Sequence, residues 1–308
     1  MNWGVAYALG AYLLWGLFPL YFKALIRVPP LQILAHRMVW SLVLLTLVLL
    51  VKRHFAWLRA VRERPSIVAR FALSAFLLAN NWGLYIWAIN SGHVVDASLG
   101  YYINPLMSVV VGALALSERL RPAQWIAVAI AAGGVAWMAV TAGHLPWVAL
   151  SLALSFALYG LMRKTAPLGS LEGLTLETAA LLPLAIGYLA WEGAHGTDAF
   201  TSGGWGLRLA LIAAGPVTAI PLLLFAAAAR RIPLSLLGIL QYSMPTVVLA
   251  LGVGLYHESF GRDRAIGFGL VWIGVALYLG DALWRSRKAR WGFSSAPASP
   301  SQSSNDPA

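Results

Sequence analysis

The chain has 308 residues, 60% of them hydrophobic and 11% charged, with no cysteine. A water-soluble domain carries about a quarter charged residues, so this composition excludes a soluble fold. The missing cysteines exclude disulfides, thiolate metal sites and a cysteine nucleophile, and the net charge of +11 reads as the loop and tail cations that orient a membrane protein rather than as a nucleic-acid footprint.

A bilayer core of about 30 Å needs about 20 apolar residues per helical crossing. The sequence predicts ten such crossings, at 3–26, 32–51, 67–90, 97–117, 123–141, 146–162, 174–191, 205–229, 235–255 and 264–284. An outer-membrane barrel would alternate apolar and polar residues over segments of about 10, and the chain does not. The first stretch lacks a basic leader and is too long for a cleaved signal, so it reads as a permanent helix. Its Trp15 is a candidate to stack on a substrate ring, and Lys23 near its end reads as an interfacial anchor.

The second span carries His36 and Arg37 a few residues from its start. A charged group at mid-membrane costs about 2.5–3.5 kcal/mol, so such groups face a cavity or a partner. Arg37 either binds an anionic group or snorkels to the surface, and His36 is a candidate proton relay. The following stretch mixes Lys52, Arg53, Arg59, Arg62 and Arg64 with Phe55, Trp57, Leu58 and Val61; it is either a short interfacial helix or a solvated basic loop.

In the third span, Asn80 and Asn81 fall near the middle, where lipid satisfies neither amide. Asn81 and Tyr85, four apart, share a helix face. In the fourth, Tyr101, Tyr102 and Asn104 precede Pro105, which removes a backbone hydrogen bond and frees a carbonyl one turn back. Gln241, Tyr242 and Pro245 repeat this pattern in the ninth span, so the Tyr102 and Tyr242 regions are expected to form an outer and an inner gate. Glu118 and Glu258 end their spans as carriers for proton coupling or as structural caps and ion pairs.

These recurrences follow one rule. A shift of 140 residues lays Tyr102, Pro105, Gly112 and Glu118 on Tyr242, Pro245, Gly252 and Glu258, and Gly134-Val135-Ala136 on Gly274-Val275-Ala276. Each half then holds five helices, an odd number, so the second copy enters the membrane from the opposite side, the arrangement many secondary transporters use. The expected organisation is a first repeat at 1–143, an inverted second repeat at 144–285 and a disordered cytoplasmic tail at 286–308. With both termini cytoplasmic, 16 of the 22 lysines and arginines fall inside, as the positive-inside bias requires.

The segments WGLFPLYFKAL, LAHRMVWS, NNWGLYIWAINSGHVVDASLGYYINPLMSVVVGALALSERLRPAQW and LQYSMPTVVLALGVGLYHESF resemble the RarD group of the EamA family, in the drug/metabolite transporter superfamily. The likeness covers nearly all of 1–285. The family's Glu with a Gln six residues on is matched by Glu118 and Gln124; the second copy keeps Glu258 but has Arg264 in the Gln position. The resemblance implies a bacterial inner-membrane protein with a central cavity lined chiefly by the first, third, fourth, sixth, eighth and ninth helices. By that rule Trp15, Asn81, Tyr85, Tyr102, Asn104, Tyr159, Gln241 and Tyr242 are candidate lining residues.

No zinc helix, nucleophile elbow or phosphate loop is present. The expectation is a permease, not an enzyme, moving a small organic solute such as a drug or an amino-acid-like metabolite, with export as the expected direction and with no metal or cofactor. A non-transporting membrane sensor or scaffold and a lipid-modifying membrane enzyme are the alternatives. The expected partners are the substrate and the lipid bilayer, with no nucleic acid; the oligomeric state is left open.

Overall fold

The computed structural model describes residues 3–141, 147–257 and 261–292, and these are helical apart from short connections. The first crossing is a broken pair, α1 (Trp3–Gly16) and α2 (Phe18–Lys23). Pro19 explains the break: it lacks an N–H, and its ring clashes with the carbonyl four residues back. α3 (Pro30–Val51), α5 (Pro65–Asn90) and α7 (Pro122–Thr141) each begin on a proline, where the missing N–H costs nothing. Between α3 and α5 the basic stretch forms a one-turn-plus helix, α4 (Trp57–Glu63). Trp57, Ala60 and Val61 pack on Ile67, Phe71 and Leu168, while Arg59 and Glu63 pair in the open at 2.7 Å.

α6 (Val94–Ala115) runs through Pro105 unbroken. α8 (Trp147–Lys164), α9 (Ser170–Ala194), the single turn α10 (Ala199–Ser202) and α11 (Trp205–Ala229) follow. The ninth crossing is broken at Tyr242 into α12 (Leu234–Gln241) and α13 (Ser243–Gly254), and α14 (Arg262–Gly292) closes the described chain. Sequence patterning anticipates neither break. It also sets the seventh crossing shorter than α9 is, because Glu172 and Glu192 lie in the end turns of that helix and lower their hydropathy.

Among the described residues, nine segments are long and apolar enough to cross a membrane; α8, with 18 residues, falls outside that set. Leu47, Val51, Phe76, Leu114, Ile126, Val140 and Leu184 project outward and are exposed. In water this would be an aggregating surface; in a bilayer it is the lipid-facing belt.

Small residues set the closest packing. A Cβ placed on Gly134 would lie 2.6 Å from the Gly267 carbonyl oxygen, and one on Gly274 would lie 2.6 Å from that of Ala127. α7 and α14 therefore touch backbone to backbone and run antiparallel, a contact that only small residues permit in lipid. Near the middle of the bundle the Tyr242 hydroxyl donates to the Tyr102 carbonyl at 3.1 Å, across 140 residues of sequence. The main buried cluster joins α1, α8, α11 and α12 through Tyr12, Tyr159, Phe225, Leu234 and Leu237.

Candidate functional site

Above that cluster lies a cavity of about 590 Å³. It occupies the half of the bundle that holds the α2–α3 connection, where Leu25, Ile26 and Val28 line it. The opposite half, toward α4, is filled. Trp15 meets Phe156 at 5.8 Å and Phe225 at 5.7 Å between ring centroids, and Tyr159 stacks on Phe225 at 5.8 Å, so an aromatic floor separates the cavity from the far side. The Tyr12 hydroxyl ties this floor to the Leu237 carbonyl at 3.1 Å.

The walls come from the six expected crossings and from the second, which adds Ile33, Leu34 and Arg37. Arg37 follows from helix periodicity: it lies one turn beyond Ile33 on the same face of α3. Its Nε donates to the Thr218 hydroxyl at 2.8 Å, and its guanidinium carbon sits 4.5 Å from the Trp82 ring centroid, with Phe22 at 5.8 Å and Phe18 at 6.0 Å. The guanidinium is thus held among aromatic faces that favour a cation, and the snorkelling alternative fails.

Of the residues singled out from sequence, Trp15, Arg37, Asn81, Tyr85, Asn104 and Gln241 line the cavity. The Asn81 amide donates to the Leu152 carbonyl at 2.8 Å and to the Ser155 hydroxyl at 2.9 Å, which docks α8 against α5. The Asn104 side-chain oxygen is buried without a hydrogen-bond partner among the described residues.

The others lie elsewhere. Asn80 is exposed on the outer face of α5, since one residue turns a helix by about 100°. For the same reason Tyr101, not Tyr102, faces the cavity; Tyr102 packs edge-on against Phe268 at 5.1 Å. Tyr159 is fully buried under the floor, and its hydroxyl reaches Glu177 at 3.4 Å. Tyr242 is buried and bonded to Tyr102, so the two expected gates are a single contact midway. His36 points away from the cavity and stacks on Phe200 at 5.2 Å, with Nε2 3.9 Å from an Asp198 carboxylate oxygen.

Glu118 accepts the backbone N–H groups of Leu234 at 2.6 Å and Ser235 at 2.9 Å and the Ser235 hydroxyl at 2.8 Å. It thereby caps the bare N-terminus of α12, where a carboxylate also meets the positive end of the helix dipole; Lys164 stands 3.9 Å away. Glu258, its counterpart by the 140 shift, lies outside the described residues.

Sequence reasoning missed Phe18, Phe22, Trp82 and a buried ion pair. Phe18 and Phe22 are four apart and share a helix face, a readable signal. Glu177, a lone carboxylate inside an apolar run, is another: it accepts Ser74 at 2.5 Å and Arg163 at 3.1 Å, and both charged side chains are 1% exposed. No group of three or more metal-ligating side chains occurs among the described residues.

Comparison with known proteins places this architecture. Residues 2–140 and 146–280 each match the EamA-like transporter family. The chain is 47% identical over 287 residues to a protein named RarD from Streptomyces exfoliatus, covering 93% of this chain and 91% of that one. It is 48% identical over 287 residues to an uncharacterized transporter of Pseudomonas aeruginosa (92% and 95% covered) and 42% identical over 285 residues to the RarD protein of Escherichia coli (92% and 96% covered). A crystal structure at 23% identity superposes with a TM-score of 0.66 over 89% of this chain and 96% of its own, a likeness of fold. The chain belongs to the EamA-like transporter family, in its RarD group, and is a multipass membrane transporter.

Proposed function

We propose that the protein is a secondary permease that exports a small organic solute across the bacterial inner membrane, with ten crossings arranged as two inverted five-helix repeats and both termini cytoplasmic. The observation that carries this reading is the cavity of about 590 Å³, which holds a cation and three amide side chains in the middle of an apolar bundle and is sealed at one end by aromatic rings. A purely structural bundle has no use for such polar groups.

The inverted arrangement draws support from the packing. The contacts Gly134–Gly267 and Gly274–Ala127 exchange into each other under the 140 shift, as a two-fold axis lying in the membrane requires. The Tyr242–Tyr102 bond joins a residue to its own repeat mate, near where that axis passes. The family match in two stretches, 2–140 and 146–280, supports a division close to residue 143. α8 counts as the tenth crossing: its 18 residues reach about 27 Å, and Asn81–Ser155 together with the Ala88–Val148 packing make it antiparallel to α5.

With the positive-inside orientation, the cavity faces outward and the aromatic floor closes the cytoplasmic side. Exchange of the two halves' shapes would open the other side. Substrate contacts fall to Trp15, Arg37, Asn81, Tyr85, Asn104 and Gln241. Glu118 serves this cycle as the cap of α12 rather than as a proton carrier, because all its described bonds are structural.

The test is counterflow in liposomes containing only this protein, against a panel of labelled aromatic and aliphatic acids, amino acids and amphenicols, with and without a pH gradient. Saturable flux of any member supports the permease. Its absence across the panel, with folded protein shown by an unchanged melting transition, ends the reading.

A further inference from the structure

Residues 1–62 contain no aspartate or glutamate, yet they supply most of the cavity's outer wall and mouth. Lys23 and Arg27 are exposed at that mouth, on either side of Leu25 and Ile26. Inside, Arg37 is the one ionisable group among the described lining residues apart from the tyrosines. The buried carboxylates elsewhere are turned to other partners: Glu177 to Arg163, Glu192 to Gln32 and Thr197, Asp198 to the backbone N–H groups of Phe200 and Thr201. Asp96, at the start of α6, is buried but does not line the cavity.

Arg37 makes one hydrogen bond among the described residues, from Nε to Thr218. Its two terminal nitrogens carry four N–H donors with no hydrogen-bond partner among the described residues, in the planar fork that matches a carboxylate, on a residue that lines the cavity. A guanidinium in a low-dielectric wall with no anion beside it lacks its best partner. The same cavity offers the opposite feature at Asn104, whose buried side-chain oxygen is an acceptor without a donor.

Resting on the transport reading above, we infer that the substrate is an organic monoanion: a carboxylate for Arg37, an N–H or O–H donor for Asn104, and a flat apolar body for the rings of Trp15, Tyr85 and Phe156. Lys23 and Arg27 give the outer mouth a positive potential that repels a cation and accepts an anion along its exit. The inside-negative membrane potential moves it outward, so net export of this class needs no coupling ion.

Three probes built on one phenylalanine body test the charge: N-acetylphenylalanine (anionic), its methyl ester (neutral) and phenylalaninamide (cationic). Calorimetric titration of the purified full-length protein should give an anion affinity at least about tenfold above the other two. Arg37→Gln should bring the anion down to the level of the ester while leaving the ester unchanged, and Arg37→Lys, which keeps the charge but not the fork, should fall between. Equal or tighter binding of the ester or the amide, binding of none of the three, or an unchanged anion affinity in Arg37→Gln overturns the inference. The comparison of probes on the unaltered protein stands even where a variant fails to fold. Selective anion binding without flux in liposomes would sink the permease reading and leave the charge assignment intact; flux of the ester and amide but not the anion would do the reverse.

Discussion

Two arginines lie inside the bundle, and they are treated in opposite ways. Arg163 of α8 is enclosed: its terminal nitrogens donate to Glu177 and to the Ser170 carbonyl at 3.1 Å each, it lies 5.5 Å over the Phe71 ring, and Glu177 is in turn held by Ser74 and Tyr159. Arg37 of α3 has aromatic neighbours and a threonine hydroxyl but, among the described residues, no carboxylate. A membrane protein that gives one buried cation a carboxylate has left the other without one, among the described residues, where a solute can reach it. The first arginine joins α8 to α9; the second faces the cavity.

The comparison can be broken most strongly at Arg163. Arg163→Leu strands the Glu177 carboxylate, and the expected loss is about 3–5 kcal/mol, seen as a collapse of the melting transition in detergent. Removing both charges, as Arg163→Leu with Glu177→Leu, should restore most of that stability, because a buried pair is often no better than apolar packing of similar volume. If the double variant is as unstable as the single one, the pair is more than a self-contained lock. Arg37→Gln is the contrasting change: stability should move by less than about 1 kcal/mol, since no ionic partner is left behind, and the loss should appear in ligand binding alone.

Smaller effects sharpen the contrast between charges that hold helices and charges that wait for ligand. Glu118→Ala removes three hydrogen bonds from the start of α12 and should cost about 1–2 kcal/mol, with Glu118→Gln recovering only part because the amide retains acceptance but not charge. A Glu118→Gln protein whose flux loses its pH dependence at unchanged stability would return this residue to a coupling role. Tyr242→Phe deletes a single bond to the Tyr102 carbonyl, and the expected change, about 0.6 kcal/mol, is at the edge of what thermal unfolding resolves.

Much of this was legible in the sequence, and the exceptions have physical causes. The all-helical membrane class followed from long apolar runs, and the proposed internal duplication from a shift that carries Gly134 to Gly274. The sequence set crossings to begin at 32, 67 and 123, one or two residues after the prolines on which the helices start, Pro30, Pro65 and Pro122. It did not separate Pro105, which α6 absorbs, from Pro245, which follows a break at Tyr242, because the outcome depends on which neighbour takes up the freed backbone groups. Among site residues, polar or paired signals led to Trp15, Arg37, Asn81, Tyr85, Asn104 and Gln241, while Phe18, Phe22 and Trp82, on the same inner arcs, read as ordinary apolar residues. Asn80 and Tyr102 were misplaced by one position, and one position is about 100°, more than a quarter turn. Glu177 went unread because a single acid in an apolar run names no partner until α8 and α5 are laid beside it.

The α7–α14 seam has a consequence for motion. Its two glycine contacts are the same contact seen from either half, so the seam maps onto itself when the halves trade shapes, as an isologous interface does. In the proposed cycle it is a fulcrum: the atoms that touch there on one side of the stroke are the atoms that touch there on the other, and the work of opening falls on the helices around the cavity.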